Sequence, residues 1–585
     1  MNRNFCIYSI LFCVLLAFSS CQTATKQTQT NTNQNTTTSN EIPGRKWWKE
    51  AVVYQIYPRS FKDSNGDGIG DLRGIIEKLD YIKSLGVDTV WLNPIYSSPN
   101  DDNGYDVSDY RNIMKDFGTM ADFDELAKGL KARNIRLIMD VVVNHSSDEH
   151  EWFKQSRSSR DNPYRDYYYW WNAEKGKPPE RYSLFDVNHD AWQYDEKTNA
   201  YYLHIFGEKQ PDLNWNSPKL RQEVYDIMKF WAEKGTDGFR LDAFQFVAKD
   251  PNFPAFPQQP NLMNYSMGEG IHDYLKEMNR EVLTKYDVMA VAEGAGRNMQ
   301  DAHDLVDADR NELSMAYAFE PADLGKFGGY KLSTFKEVFS RWDKEFAEKG
   351  WLSIFLANHD KARMVSLWGN DKPEFRDASS KMLSTFIMTM RGTPYYYNGD
   401  ELAMTNADFK DIGEIRDKPM LNEYQYQKNQ GADLNKVFER MKFEARDNGR
   451  TPFQWTSGEK AGFTTGNPWI KIPENYKEIN AEAQEKDPNS PLNYFRKLNK
   501  LRKENLALVY GKYTLLDEPN ESVYAYIREL NGKKLLILLN FTDKEATANT
   551  GVDMKQAKVA LGNYATPSID GKLKPYEAVV YELGN

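Results

Sequence analysis

From Trp47 onward, short runs rich in Val and Ile alternate with stretches of helical spacing. That alternation restricts the fold more than any other feature. Ala51–Tyr57, Val87–Leu92 and Ile135–Val143 are almost continuously apolar, as suits strands buried on both faces of a helix-covered parallel sheet. Leu72–Leu85 and Phe123–Arg133 lie between them with helical spacing. Gly238–Asp242, Val288–Glu293, Ser314–Phe319, Ser353–Ala357 and Pro394–Asn398 continue the series. Strands and helices in this order predict an α/β chain folded as a (β/α)8 barrel, with a doubly wound sheet as the alternative.

Two stretches break the rhythm. About seventy residues separate the third strand, ending near Asn144, from a helix beginning near Pro218, far more than an ordinary connection needs. Tyr164, Trp171, Tyr201 and Tyr202 crowd it, so residues 146–216 read as an inserted subdomain forming a lid over the C-terminal face of the barrel. Past Tyr510 the helical pattern stops, and Val523–Ile527, Lys534–Leu539 and Ala578–Leu583 read as antiparallel strands. The barrel is therefore expected over 45–145 and 217–509, with a C-terminal β-sandwich over 510–585.

The start of the chain reads differently. Arg3, the apolar run Ile7 to Phe18 and the small Ser19 and Ser20 form an export signal over 1–21, too short to span a membrane comfortably. Ser19-Ser20-Cys21 resembles a bacterial lipoprotein cleavage site, which implies lipidation of Cys21; an ordinary cleaved signal is the alternative. Residues 22–44, mostly Thr, Gln and Asn, are expected to be a disordered tether. Gln22-Thr23-Ala24 carries no acid of the kind that sends some lipoproteins to the cell surface, so a periplasmic, membrane-anchored location is expected. Cys6, Cys13 and Cys21 are the only cysteines, which excludes thiol nucleophiles, disulfides and Cys-based metal sites from the body. With 85 acidic against 75 basic residues, net charge −10, the chain lacks the positive surface that nucleic-acid binding requires.

Catalytic groups of a barrel sit where its strands end, and these ends are polar. In Gly238-Phe239-Arg240-Leu241-Asp242, the two-residue spacing turns Arg240 and Asp242 to the same inward face. A guanidinium there is expected to keep Asp242 ionised, as a carboxylate nucleophile must be. Glu293 follows an apolar run, which raises a carboxyl pKa towards that of a general acid. Asn358-His359-Asp360 and Val143-Asn144-His145 end two further strands. Paired carboxylates converging on one rim point to cleavage of glycosidic bonds. The aromatic share of 14% agrees, since aromatic rings stack on sugar faces.

These segments resemble the signature regions of the alpha-amylase family of glycoside hydrolases, in its oligo-1,6-glucosidase and α-glucosidase branch. Asp140-Val-Val-Val-Asn144-His145, Gly238-Phe-Arg-Leu-Asp242-Ala243, Val291-Ala-Glu293 and Asn358-His359-Asp360 are similar to the four regions, in order. Gln210-Pro-Asp-Leu-Asn214, Asp101-Asp102-Asn-Gly-Tyr105-Asp106 and Arg450-Thr-Pro-Phe-Gln-Trp455 extend the likeness. The resemblance implies Asp242 as nucleophile, Glu293 as acid and then base, and Asp360 as the carboxylate that grips ring hydroxyls. It implies His145 and His359 as hydrogen-bonding partners of the same sugar and Arg240 as the group orienting the nucleophile. Asp102 and Arg363 would clamp the terminal glucose, with Tyr105 as its stacking platform. A retaining, exo-acting α-glucosidase of short oligosaccharides follows, on α-1,4 or α-1,6 links. The alternatives are a trehalose synthase or other transglycosylating member and, from another class, a non-catalytic glycan-binding protein.

Asp63-Ser-Asn65-Gly-Asp67-Gly-Ile69-Gly-Asp71 places oxygen donors at alternate residues among glycines, as calcium loops do, but lacks the Glu that closes an EF-hand. A dinucleotide fingerprint fails too, its sixth position falling on Asp71 or Arg73. The resemblance implies a structural Ca2+ held by Asp63, Asn65, Asp67 and Asp71 with the Ile69 carbonyl. Three positions depart from the branch. Lys361-Ala362 stands where Gln-Pro is usual, and Ala243 where 1,6-specific members carry Val; the smaller side chain leaves room beside the leaving group for α-1,4 links.

Overall fold

The computed structural model describes residues 42–253, 262–325 and 329–584. The expected leader, Cys21 and nearly all of the polar tether lie outside them.

Eight parallel strands close a barrel: β1 (Val53–Ile56), β2 (Thr89–Leu92), β3 (Arg136–Val142), β4 (Gly238–Asp242), β5 (Met289–Ala292), β6 (Met315–Tyr317), β7 (Leu352–Ile354) and β8 (Thr393–Tyr397). Neighbours in sequence pair in space, and Val53 of β1 sits beside both Thr89 of β2 and Tyr395 of β8, which closes the ring. The doubly wound alternative is thereby excluded.

Alternation along each strand sorts its side chains. Val53, Trp91, Ile138, Met289, Val291, Met315 and Tyr395 fill the lower barrel interior as one apolar cluster. Tyr54, Val90, Leu137, Met139, Phe239 and Ala290 face outward into the layer of surrounding helices. Two residues further along, the inward positions turn polar: Gln55, Asn93, Asp140, Arg240 and Asp242 are all buried. A barrel floored by hydrocarbon and capped by charge places its chemistry at the C-terminal rim.

The insertion after β3 carries a three-stranded antiparallel sheet, Trp170–Asn172, Ala200–Leu203 and Trp192–Asp195, with the second of these in the middle. An isolated bridge between His145 and Asp212 pins its return to the end of β3. A second excursion, read from sequence as part of the barrel, leaves after β8: the helices Lys418–Asn429 and Leu434–Glu444 pack on Phe409, Ile415, Ala445 and Ile470.

The C-terminal region holds β9 (Lys512–Leu516), β10 (Val523–Leu530), β11 (Lys533–Asn540), β12 (Lys558–Gly562) and β13 (Ala578–Glu582), in the antiparallel order β9-β10-β11-β13-β12. One face, with Tyr524, Tyr526, Leu535 and Ile537, joins the main core; the other is closed by a ribbon of Ala546–Thr547 and Lys572–Leu573. The buried Arg528 donates to Asp343 at 3.1 Å, tying this sheet to the barrel helix Leu332–Glu345. Among the described residues no helix is long and apolar enough to cross a membrane.

Candidate active site

β3, β4 and β5 deliver three carboxyl groups to one guanidinium. Arg240 donates from Nη1 to Asp140 at 2.9 and 3.1 Å and to Asp242 at 2.5 Å. Its Nη2 pairs with Glu293. The three acids thus stand within one guanidinium of each other. Ala243, just past β4, takes the left-handed conformation at φ +47°, and its amide donates to Glu293 Oε2 at 2.9 Å. A left-handed residue that is not glycine costs roughly 1–2 kcal/mol, and such strain collects at functional sites.

One positive charge cannot neutralise three negative ones. Burial pushes Glu293 up to about 7; Arg240 opposes this, and Asp242 and Asp360 reinforce it. Burial also drives Asp242 and Asp140 above the usual carboxylate range despite Arg240, each raised further by another of the acids. The expectation that Arg240 alone would keep Asp242 ionised is therefore too simple. Crowded around one guanidinium, each of the three therefore holds a proton more tightly than a carboxyl in water does. With a proton on Glu293, Asp242 is left a carboxylate.

Asp360, after β7, lies in the opposite setting. Burial works against its charge, but His359, Arg446 and Arg450 outweigh it and hold the carboxyl well below its ordinary value. Arg450 Nη2 lies 2.7 Å and Arg446 Nη1 3.1 Å from Oδ1, and His359 Nε2 lies 3.2 Å from Oδ2. A chain of hydrogen bonds sets the imidazole. The Gln55 amide donates to His359 Nδ1 at 2.8 Å, which leaves the proton on Nε2, 2.7 Å from the Tyr105 hydroxyl. That hydroxyl donates to Asp140 at 3.0 Å. The Tyr105 ring is stacked on His359, 5.4 Å between centroids and 8° from parallel. Burial keeps His359 neutral by lowering its pKa and takes His145 down to about 3.

Above this floor lies a cavity of about 680 Å³, within the usual range for small-ligand sites. Asp102, Tyr105, His145, Asp242, Glu293 and Asp360 all line it, with Arg240 and His359 bonded beneath. The insertion contributes Tyr182, Leu184, Phe185 and Phe206 to the wall, and the second excursion Met420, Met441 and Arg446. Gln210 donates at 3.2 Å to Asp102, where the terminal glucose is expected.

Arg363 is not there. Its fully buried guanidinium donates to the backbone carbonyls of Asn398 (2.7 Å), Asn448 (3.2 Å) and Thr451 (3.3 Å), fastening the turn after β8 to the segment before Phe453. Arg446 takes the place expected of it, reaching Asp102 at 3.3 Å and Asp360 at 3.1 Å. The sequence offered only the spacing, two arginines four apart; in the structure the one-turn helix Asp447–Arg450 is buried throughout, so both charges must find partners. Lys361, the departure next to Asp360, pairs with Asp323 at 2.9 Å on the cavity wall.

In the Asp63–Asp71 loop, Asp63 Oδ1 accepts from the amides of Asn65 and Gly66, and Oδ2 from Gly68 and Thr464. Asn65 accepts from Asp67, and Asp67 from Ile69, each at the amide. Asp71 caps the helix Leu72–Glu77 through Gly74 and accepts from Ser64. A side chain at Gly68 would place its Cβ 1.7 Å from the Asn467 carbonyl, so that glycine is obligatory. Among the described residues no group of three or more His, Cys, Asp or Glu side chains is arranged to hold a metal. A cation here would depend as much on the Asn65 and Ile69 carbonyl oxygens as on carboxylates.

Residues 55–511 match the alpha amylase catalytic domain, and residues 513–580 the C-terminal domain of maltogenic amylase. The oligo-1,6-glucosidase of Parageobacillus thermoglucosidasius is 48% identical over 560 residues, 92% of this chain and 99% of its own. The trehalose-6-phosphate hydrolase of Bacillus subtilis strain 168 is 42% identical, over 92% and 98%. An isomaltulose synthase mutant from Erwinia rhapontici NX5, solved in complex with sucrose, superposes with a TM-score of 0.89 at 44% identity, covering 93% of this chain and all of that one.

Proposed function

The chain belongs to the alpha-amylase family, in its oligo-1,6-glucosidase branch, and from that premise we propose how it works as an exo-acting α-glucosidase. The observation that carries the mechanism is the single guanidinium of Arg240 shared by Asp242 and Glu293 at the bottom of a sugar-sized cavity. Asp242 attacks the anomeric carbon of the terminal glucose while Glu293 protonates the departing oxygen. This forms a covalent glucosyl–enzyme. Glu293, now a carboxylate, takes a proton from water, which displaces Asp242 and leaves glucose with its configuration retained. A close spacing of the two carboxyls suits attack by Asp242 itself rather than by an interposed water. Asp360, charged throughout, holds ring hydroxyls, and the Asp102–Arg446–Gln210 wall stops the chain one glucose deep.

Charge separates this reading from hydrolysis of phosphorylated sugars. Eight carboxyl-bearing residues line the cavity against Lys361 and Arg446, both paired with acids, so a phosphate dianion would be repelled. Transglycosylation is the second reading, favoured by the close superposition on isomaltulose synthase. Product analysis on maltose, isomaltose, trehalose and sucrose tests both: free α-glucose is expected to appear first, and a predominance of disaccharide isomers would overturn hydrolysis.

Two further features complete the proposal. Ca2+ occupies the Asp63–Asp71 loop as a structural ion, supported by its hard oxygen donors; EDTA should lower the melting temperature and added Ca2+ restore it. The exported chain is tethered on the periplasmic side by lipid on Cys21, supported by the Ser19-Ser20-Cys21 pattern. C21S should abolish incorporation of labelled palmitate and release the protein from membranes.

A further inference from the structure

One carboxylate on the cavity wall has no part in that chemistry. Asp417 stands at the N-cap of the helix Lys418–Asn429 yet makes no capping hydrogen bond to it, where an Asp ordinarily accepts from the first-turn amides. Its Oδ1 is taken instead by Arg446, through Nε at 2.8 Å and Nη2 at 2.5 Å, and by Arg450 Nη1 at 3.2 Å. The residue is 3% exposed. Its own amide donates to Asp447 Oδ2 at 3.1 Å, and so does that of Arg416 at 2.6 Å.

Both arginines continue to Asp360, and Arg446 to Asp102. The N-cap residue of the helix and the carboxylate that grips the sugar are therefore bound by the same pair of guanidiniums. Further along, the helix touches the insertion: Asn422 Nδ2 donates to the Phe185 carbonyl at 2.6 Å, and Glu423 lies 3.5 Å from His189 Nε2. A rigid element thus joins the lid to the catalytic floor, and a local rule is broken where the join is made. Such violations mark sites where function overrides local preference.

We propose that Asp417 is a positioning residue: it aims Arg446 and Arg450 at Asp360 and Asp102, so that the grip on the terminal glucose depends on the helix Lys418–Asn429 being docked against the insertion. The proposal rests on the α-glucosidase reading. A purely structural Asp417 would change stability alone.

The test is a double-mutant cycle of D417N and N422A, read in kcat and KM for maltose, in D-glucose affinity by calorimetry and in thermal unfolding. D417N is expected to lower kcat/KM and glucose affinity about tenfold while still unfolding cooperatively, less than the roughly 100-fold of a full 1 Å misplacement because both arginines keep Asp360 as a partner. N422A alone should cost about threefold and add nothing further in the D417N background, the sign of a shared path. D417E, whose carboxylate is displaced by one methylene, should fall between wild type and D417N. If D417N does not fold, D417E and N422A make the same cycle. D417N within twofold of wild type, or N422A costing the same in both backgrounds, overturns the proposal. Wild-type turnover of maltose and isomaltose is measured first; its absence would overturn the glucosidase reading, and glucose affinity would then decide the role of Asp417 by itself.

Discussion

The floor of the cavity and its rim are built by different means. Asp140, Arg240, Asp242 and Glu293 come from three adjacent strands or the residues just after them, and neighbours in the barrel fix their spacing. Asp102, Arg446, Tyr182 and Phe185 come from loops and excursions tens of residues long, joined to one another by side chains. The floor can place a proton and a nucleophile to a fraction of an ångström because the sheet does so already. The rim can change length and composition without disturbing the barrel. The contrast teaches that the reaction is set by the strands and the substrate by the loops.

The sharpest way to break that division is at the floor. D242N should lower kcat on maltose by about 10⁴-fold or more, as removal of a nucleophile does, with the fold intact by circular dichroism; appreciable turnover would separate the chemistry from β4. E293Q should cost about 10³-fold and carry a second signature. Glu293 binds its proton more tightly folded than unfolded, so it stabilises the protein fully below pH 4.5, and that stability is lost as pH rises through about 7. Gln mimics the protonated form. E293Q should therefore match wild type at low pH and melt roughly 1–3 °C higher at pH 8; a gap that narrows as pH rises would contradict the crowding of acids around Arg240. The same protonation predicts that kcat/KM falls above about pH 7, where the acid is lost.

The rim is broken less completely. R446A should lower kcat/KM about 100-fold by leaving Asp102, Asp360 and Asp417 short of a buried partner. R363A should do the reverse. It strands the Asn398 and Thr451 carbonyls and takes one of two donors from that of Asn448, so the melting temperature should drop by about 5 °C or more while kcat/KM of the folded enzyme stays within about threefold. If R363A selectively lost affinity for glucose, the clamp would belong to Arg363 after all.

This pair of arginines also shows where sequence reasoning ran out. The barrel was legible because strand runs and helical spacing repeat eight times, and Asp242, Glu293 and Asp360 were legible because strand ends give a side chain a direction. A loop residue has no such direction. Arg363 follows Asp360 by three positions, but the chain turns there, and its side chain points into the body of the protein. Arg446 lies 86 residues from Asp360 and meets it only because the excursion after β8 folds back over the rim. Nothing in the periodicity of Lys418–Glu444 marks it as a wall rather than another barrel helix. Asp417 was hidden for a similar reason: an Asp ahead of a helix ordinarily serves as its cap, and only the structure shows its carboxylate turned to Arg446 and Arg450 instead.

The smallest expected effect lies where floor and rim meet, at Ala243. Its backbone is left-handed, its amide donates to Glu293, and its side chain lines the cavity with Gln245 and Phe246. A β-branched residue is poorly tolerated at positive φ, so A243V should lower the melting temperature by about 1–2 °C. It should also narrow the space beside the leaving group and cut kcat/KM for maltose several-fold more than for isomaltose, a difference worth about 1 kcal/mol, as for one or two methyl groups in a pocket. Glu293 keeps its amide donor in either variant, so the pH limit of kcat/KM should not move. A shift in that limit would mean that Ala243 tunes the acid, and that the boundary between reaction and substrate runs through the floor rather than above it.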